Sequence, residues 1–159
     1  MAVTTDIVQS YRRPRWVIRR HLEGGATEAR ALAILMGACL LIFVAQWPML
    51  ARAAFYDPSQ PLEARLSGAL MGTVFLLPPI CYGLAALSHL VARLLGGKGS
   101  FFGARLALFQ ALLSISPLML FNGLVGGFIG EGTASLLVGF GVMGAFLALW
   151  GFMLSEVER

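Results

Sequence analysis

The residues with the most chemical potential lie in one short polar stretch, HLVARLLGGKGSF, at residues 89–101. A histidine that follows Ser88 raises the possibility of a nucleophile and its base. Adjacent side chains on a helix point in different directions, however, so Ser88 and His89 do not predict a catalytic pair. The GGKGS segment lacks the GxxxxGK[ST] spacing of a phosphate-binding loop. We therefore interpret His89 as an interfacial residue and the glycines as the end of a helix.

Other catalytic or metal-binding patterns are missing from the sequence. Cys39 and Cys81 stand far apart in separate apolar runs, without the spacing of a zinc site or a redox pair. No HExxH, GxSxG, Walker or CxxC pattern occurs. We predict a protein that is not an enzyme, with no catalytic residues, no cofactor and no metal.

The elements that surround this stretch are apolar and long. Of the 159 residues, 58% are hydrophobic and 13% are charged, and the mean hydropathy is +0.79. A soluble domain carries about a quarter charged residues. Four intervals lack Asp, Glu, Lys and Arg altogether: 31–51, 66–92, 106–130 and 132–155. Because about 20 helical residues cross a bilayer, and the runs show no strand-like alternation, we predict an all-α transmembrane bundle. The four predicted spans are about 31–50, 66–92, 104–127 and 134–154, followed by a tail at 156–159.

The basic residues indicate the orientation of the spans. Ten of the 12 Lys and Arg residues fall in the N-terminal segment, the loop between spans two and three, and the tail. The other two, Arg52 and Arg65, fall in the first loop on the opposite side. Cytoplasmic segments of membrane proteins carry the excess of Lys and Arg. We therefore predict an integral protein of the cytoplasmic (inner) membrane, with both termini cytoplasmic.

The segment at residues 1–30 mixes arginines with apolar and aromatic residues, and Pro14 should divide it into two short helices. This composition is typical of an amphipathic segment that lies at a membrane surface, although a solvated basic tail would serve the charge rule equally well. Nucleic-acid binding is not expected, because no recognition motif accompanies the charge. The predicted contacts to lipid or to a partner are Arg12, Arg13, Arg15, Trp16, Arg19, Arg20, Arg93, Lys98 and Arg105.

Within the spans, polar and small residues predict helix packing. Gln110, Ser114 and Asn122 fall within about 120° of one helix face and could bond to a neighbouring helix. Glycines spaced by four residues, which permit close approach within the chain or between copies, are Gly68 with Gly72 and Gly123 with Gly127. Prolines 78, 79 and 117 should kink the second and third spans. Kinked helices with nearby polar groups leave a second hypothesis open, a small transporter or channel subunit acting as an oligomer.

The sequence HLVARLLGGKGSFFGARLALFQALLSISPLML resembles the central region of prokaryotic members of the Yip family, named for Ypt/Rab-interacting membrane proteins. The resemblance rests on a Gly-Gly-basic-Gly-Ser-aromatic turn at residues 96–101 and on Pro117 halfway along the next helix. The leader SYRRPRWVIRRHLEGG is also similar. The resemblance implies a multispan membrane fold that binds or organises other membrane components. The family typically has five spans and its eukaryotic members a long N-terminal domain, so for this chain we expect no Rab-type GTPase partner.

These observations together predict a non-enzymatic multispan protein that acts as a binding or organising partner. Its expected contacts are membrane lipids and another membrane protein or a second copy of itself.

Overall fold

The computed structural model describes residues 3–159, which form helices and their connecting turns, with no strand among them. Two short helices come first, α1 (Val3–Arg12) and α2 (Pro14–Glu23), divided at Pro14 as the sequence predicts. The remaining helices are α3 (Glu28–Tyr56), α4 (Leu62–Leu70), α5 (Leu77–Leu94), α6 (Phe101–Phe128) and α7 (Thr133–Val157). A π-helical segment, Met71–Leu76, joins α4 to α5 in one continuous helix.

Four helices in the described part of the chain are long and apolar enough to cross a membrane: Glu28–Tyr56, Leu62–Leu94, Phe101–Phe128 and Thr133–Val157. The prediction of an all-α bundle with four candidate spans is confirmed. Each helix runs a few residues beyond the predicted span, because polar residues at the membrane boundary continue the same helix. The segment at 156–158, which we assigned to a tail, mostly continues α7.

Helix α6 is the centre of the bundle. It packs against α3, α5, α7 and α1, and its first half is buried almost without interruption from Gly103 to Ser116. The other spans each present one side to the core and leave large apolar side chains exposed on the opposite side, as expected of helices that face lipid. Elements packed on α6 are therefore positioned by the most enclosed helix of the protein.

The closest helix contact lies between α3 and α6 and depends on glycine. A Cβ atom added at Gly123 would stand 1.8 Å from the Ala45 carbonyl oxygen. One added at Gly127 would stand 2.5 Å from the Pro48 side chain. The predicted Gly123–Gly127 pair therefore mediates close packing within the chain. Gly68 and Gly72 do not, since a Cβ at either position would meet nothing within 4 Å.

The prolines in the second span have a local structural consequence. Pro78 and Pro79 cannot donate backbone hydrogen bonds to the preceding turn. The chain accommodates this with the π-helical segment just before them, in which the Leu77 amide donates to the Gly72 carbonyl, five residues back. Helices α3 and α6 continue through Pro48 and Pro117.

Replacing Gly123 with alanine should lower the thermal stability of the purified protein in mild detergent. The new methyl group meets backbone rather than a mobile side chain, so α3 and α6 must separate, at a cost of about 1–3 kcal/mol. Gly68→Ala is the matched control, and it should be neutral or stabilising by up to about 1 kcal/mol through helix propensity. Loss of helical circular dichroism on heating measures both. Equal effects of the two substitutions would contradict the packing role of Gly123.

Candidate functional site

Most polar contacts of the bundle lie at the end that carries both termini, here called the terminal end. It is formed by α1, α2, the start of α3, the segment joining α5 to α6, and the end of α7. Two buried histidine–carboxylate contacts hold it together, His89 with Glu158 and His21 with Asp6. These are the chain's two histidines.

Glu158 ties the glycine-rich turn to the end of α7. Its side chain is 93% shielded, and one oxygen, Oε1, lies 2.7 Å from His89 Nδ1. The other oxygen, Oε2, accepts from the Gly99 amide at 3.2 Å, and the Glu158 carbonyl accepts from the Lys98 amide at 2.8 Å. His89 is therefore a buried structural partner of Glu158, with its ring tilted by 60° against that of Phe101, and not an exposed residue.

The glycines of this turn are needed for two different reasons. Gly96 has a φ of +95°, the left-handed conformation that ends α5. Gly97 and Gly99 make room, because a Cβ at either position would lie under 3.0 Å from Glu158 Oε2. Ser100 then begins α6 by accepting the Gly103 amide on its hydroxyl. The GGKGS pattern therefore ends one helix, receives Glu158 and begins the next helix.

The second buried contact holds α1 and α2 together as a hairpin. Asp6 pairs with Arg20, and its Oδ2 lies 3.3 Å from His21 Nε2. Asp6, Ser10 and His21 are all buried. The hairpin packs on α6 and α7, burying Val17 and Ile18 completely.

The Tyr11 hydroxyl fastens the hairpin to the core by donating to the Ser114 carbonyl at 2.6 Å. Val17 and Ile18 of the hairpin therefore pack on the bundle and not on lipid. Tyr11 and Trp16, which are exposed by 43% and 45%, keep part of their surface outward.

Burial lowers the pKa of His21 below its usual value, and the Arg30 and Arg20 charges add to this effect against the opposing Asp6 carboxylate. The docked hairpin therefore favours neutral His21.

The nine residues predicted to contact lipid or a partner fall into two groups. Three are ion-paired within the chain: Arg19 with Glu156, Arg20 with Asp6, and Arg105 with Glu28. The basic residues of the second group are exposed, and no ion pair holds them in the described part of the chain: Arg12, Arg13, Arg15, Arg93 and Lys98. The charges of the second group are not neutralised by an ion pair in the described part of the chain, and Trp16 is exposed beside three of them.

Three of these available arginines gather where α1 turns into α2. Arg12, Arg13, Arg15 and Trp16, here called the arginine tip, surround the α1–α2 turn and border one open pocket together with Phe152 of α7. The Arg15 guanidinium lies 5.6 Å from the Phe152 ring centre. Arg19 of α2 pairs with Glu156 of α7, and these residues lie four positions after Arg15 and Phe152 in their helices. Arg15 is therefore about 6 Å closer to the middle of the bundle than that pair.

Comparison with known proteins identified no relative of this chain. The chain matches no protein-family model, no curated protein and no solved structure.

The polar residues predicted to join helices do not do so through their side chains. The Ser114 hydroxyl bonds to the Gln110 carbonyl of its own helix, while Gln110 Nε2 and Asn122 Oδ1 are buried without a partner. Gln110 and Asn122 also line separate cavities, so they do not form one polar path within the chain. The bond between helices comes from residues that the sequence reasoning missed, Gln46 Nε2 to Thr73 Oγ1 at 2.8 Å.

The structure adds further polar residues that sequence reasoning missed. Glu158 was assigned to a tail, and its neighbours Glu156 and Arg159 make it look like one of several exposed charges in the sequence. Asp6 and Ser10 share one face of α1 at a spacing of four residues, which identifies a polar face but not its partner His21. At the opposite end of the bundle, Arg52 donates to the Gly127 and Phe128 carbonyls at the end of α6, where the helix dipole is negative.

Replacing Glu158 with alanine should free the turn between α5 and α6. The Gly99 amide loses its acceptor, so its hydrogen exchange should accelerate by tenfold or more, since a hydrogen bond to a charged group contributes about 1.5–3 kcal/mol. Glu63→Ala, an exposed acid at the other end of the bundle, is the control. Unchanged exchange at Gly99 would show that Glu158 does not hold the turn.

Acidification should loosen the hairpin. A released hairpin binds a proton at His21 with the ordinary pKa of about 6.5, while the docked one binds it less readily, so docking is favoured above pH 6.5 and weakens as the pH falls below it. Hydrogen exchange of α1 and α2, corrected for intrinsic rates, should increase between pH 7.5 and pH 5.5. His21→Leu should remove the pH-dependent part of the change. An identical pH response in this variant would assign the response to another group.

Proposed function

We propose that this chain is a non-enzymatic multispan protein of the Yip type that binds or organises anionic lipids and membrane proteins at the cytoplasmic face of the inner membrane. The proposal places both termini in the cytoplasm. It is supported by the distribution of ten basic residues toward the terminal end and two toward the opposite loop. The partners are membrane lipids and another membrane protein or a second copy of this chain, without a Rab-type GTPase.

The single observation that carries the proposal is the arginine tip. Its arginines are exposed and have no ion pair among residues 3–159, while Arg19 and Arg105 at the same end are ion-paired. Cations left unpaired at interfacial depth are matched by anionic phosphates, and each contributes on the order of 1 kcal/mol to attraction toward an acidic leaflet. Trp16 beside them supplies the amphipathic ring that favours the headgroup region.

The Yip-type assignment adds a mode of action to this chemistry. The glycine-rich turn that carries the resemblance also presents Lys98 and Arg93 as exposed cations at the terminal end. We place these two residues in the same lipid-binding or partner-binding face as the arginine tip. A protein with such a face would gather acidic lipids around its own spans and hold partners that prefer the same lipids.

Replacing Arg12, Arg13 and Arg15 with glutamine should reduce the protein's preference for anionic over zwitterionic lipid. Purified protein is reconstituted in bilayers with spin-labelled phosphatidylglycerol or phosphatidylcholine, and the fraction of each label bound at the protein surface is measured. With about 1 kcal/mol for each charge as an upper estimate, the preference should fall several-fold. It should also fall with added salt in the unmodified protein but little in the variant.

The matched control changes Arg19, Arg65 and Arg105 to glutamine. It removes the same formal charge from residues that are already ion-paired, so it should leave most of the preference intact. Equal losses in both triple variants would reduce the effect to net charge and contradict a specific site. Saturable solute flux in liposomes that depends on Gln110 would instead support a transporter.

A further inference from the structure

A second polar pocket lies beneath the hairpin, separate from the arginine tip. It has a volume of about 240 Å³ and opens between α1, α2, α3 and α6. Its polar lining comes from Asp6, His21, Arg30 and Gln110, and its apolar lining includes Ile34 and Leu113. The pocket therefore has a charged part toward the terminal end and an apolar part deeper in the bundle.

Two residues of this pocket, His21 and Gln110, have a buried nitrogen without a hydrogen-bond partner among the described residues, and only His21 has a carboxylate nearby. The Gln110 side chain is 1% exposed, yet its amide nitrogen Nε2 has no hydrogen-bond partner among the described residues. A buried amide without a partner costs about 1–3 kcal/mol. Gln110 lines the cavity, so a small rotation of its side chain would bring the amide to an acceptor oxygen held there.

Arg30 supplies a second donor at the mouth of the pocket. Its guanidinium forms no ion pair in the described part of the chain, and the nearby acid of the pocket, Asp6, is already paired with Arg20. His21 is favoured in the neutral form here. Arg30 is therefore the cation of the pocket that has no ion pair in the described part of the chain.

The two donors lie at different depths. Arg30 is in the first turn of α3, next to Glu28, which pairs with Arg105 of α6. Gln110 lies five residues beyond Arg105 along α6, and Arg30 lies two residues beyond Glu28 along α3, so Gln110 is about 4–5 Å deeper in the bundle than Arg30. Below Arg30, Ala33 and Gly37 leave a shallow groove along α3, and a Cβ at Gly37 would meet nothing within 4 Å.

We infer that this pocket binds one glycerophospholipid, with its phosphate at Arg30, an ester carbonyl at the Gln110 amide, and an acyl chain along Gly37. The order of groups in such a lipid matches the order of the lining, from anion to carbonyl acceptor to hydrocarbon. The inference rests on the proposed function in that both concern lipid. It uses different residues, however, and predicts a bound molecule of defined chemistry instead of a general preference for acidic lipid.

The test compares ester-linked with ether-linked phosphatidylglycerol of the same chain length, because the ether analogue lacks the carbonyl acceptor. Binding to the full chain in detergent is measured by native mass spectrometry. We expect the unmodified protein to bind the ester form about fivefold more tightly, the value of one hydrogen bond. Gln110→Leu should bind the two forms equally and should unfold at the same or a higher temperature without lipid, since it removes an unsatisfied amide.

Two further arms test the rest of the assignment. Arg30→Gln should reduce the preference for phosphatidylglycerol over diacylglycerol, which has no phosphate. Gly37→Leu should fill the groove and weaken binding of both linkages, with Gly141→Leu on the exposed side of α7 as the matched control. Inorganic phosphate should not displace the lipid.

Retained discrimination between ester and ether in Gln110→Leu would overturn the inference, as would normal binding by Gly37→Leu or displacement by inorganic phosphate. These results are independent of the triple arginine variant. If the arginine tip shows no preference for acidic lipid while the ester preference depends on Gln110, the proposed function fails and this site remains. If the arginine tip prefers acidic lipid but the ester preference does not depend on Gln110, the lipid site in this pocket is excluded and the proposed function is not.

Discussion

The backbone contact between α3 and α6 at Gly123 is the constraint on which the rest of the bundle depends. With the Ala45 carbonyl 1.8 Å from the position of a Cβ atom, no side chain fits between the two helices. The terminal half of α6 is enclosed on its other sides by α1, α5 and α7, so α6 is the most buried of the four long helices. Because lipid is as apolar as leucine, such close backbone packing and not hydrophobic burial holds spans together. The Tyr11 contact and the Gln110 pocket both depend on α6 being held in this position.

The terminal end adds a second kind of constraint, made of buried polar pairs. Each histidine of the chain contacts a carboxylate that lies far away in sequence or in the other helix of the hairpin. A buried polar pair contributes little net stability, but its separation leaves an unsatisfied charge or dipole. Such pairs therefore specify where the hairpin and the glycine-rich turn dock. In the His89–Glu158 pair the contact at 2.7 Å and the Gly99 amide occupy both carboxylate oxygens, so this pair is a poor candidate for contacts outside the chain.

Sequence reasoning predicted the fold well because its signals are long. Runs of more than 20 uncharged residues admit one interpretation in a bilayer, and Pro14 ends α1 by removing a backbone donor. The site was predicted less well. The nine basic or aromatic contacts were chosen by residue type and segment, and the sequence cannot tell that Arg19 has Glu156 as a partner 137 residues away while Arg15 has none. Glu158 and Asp6 were missed for the same reason, since their roles come from the packing of helices that are distant in sequence.

Gln110 is the opposite case: sequence reasoning identified this residue, but its surroundings in the fold differ from the predicted ones. Its position on one helical face with Ser114 and Asn122 indicated helix packing, a sound inference when neighbouring helices are the only partners considered. In the fold, the hairpin lies over that part of α6 and leaves a space that α3 does not fill, so the amide borders a pocket instead of a helix. A buried polar group that has no protein partner needs an acceptor from outside the chain. At the boundary of the hydrocarbon region the abundant acceptors are lipid ester carbonyls. The same residue type on the same helix face thus changes from a packing contact to a ligand contact because of a hairpin whose docking only the three-dimensional structure reveals.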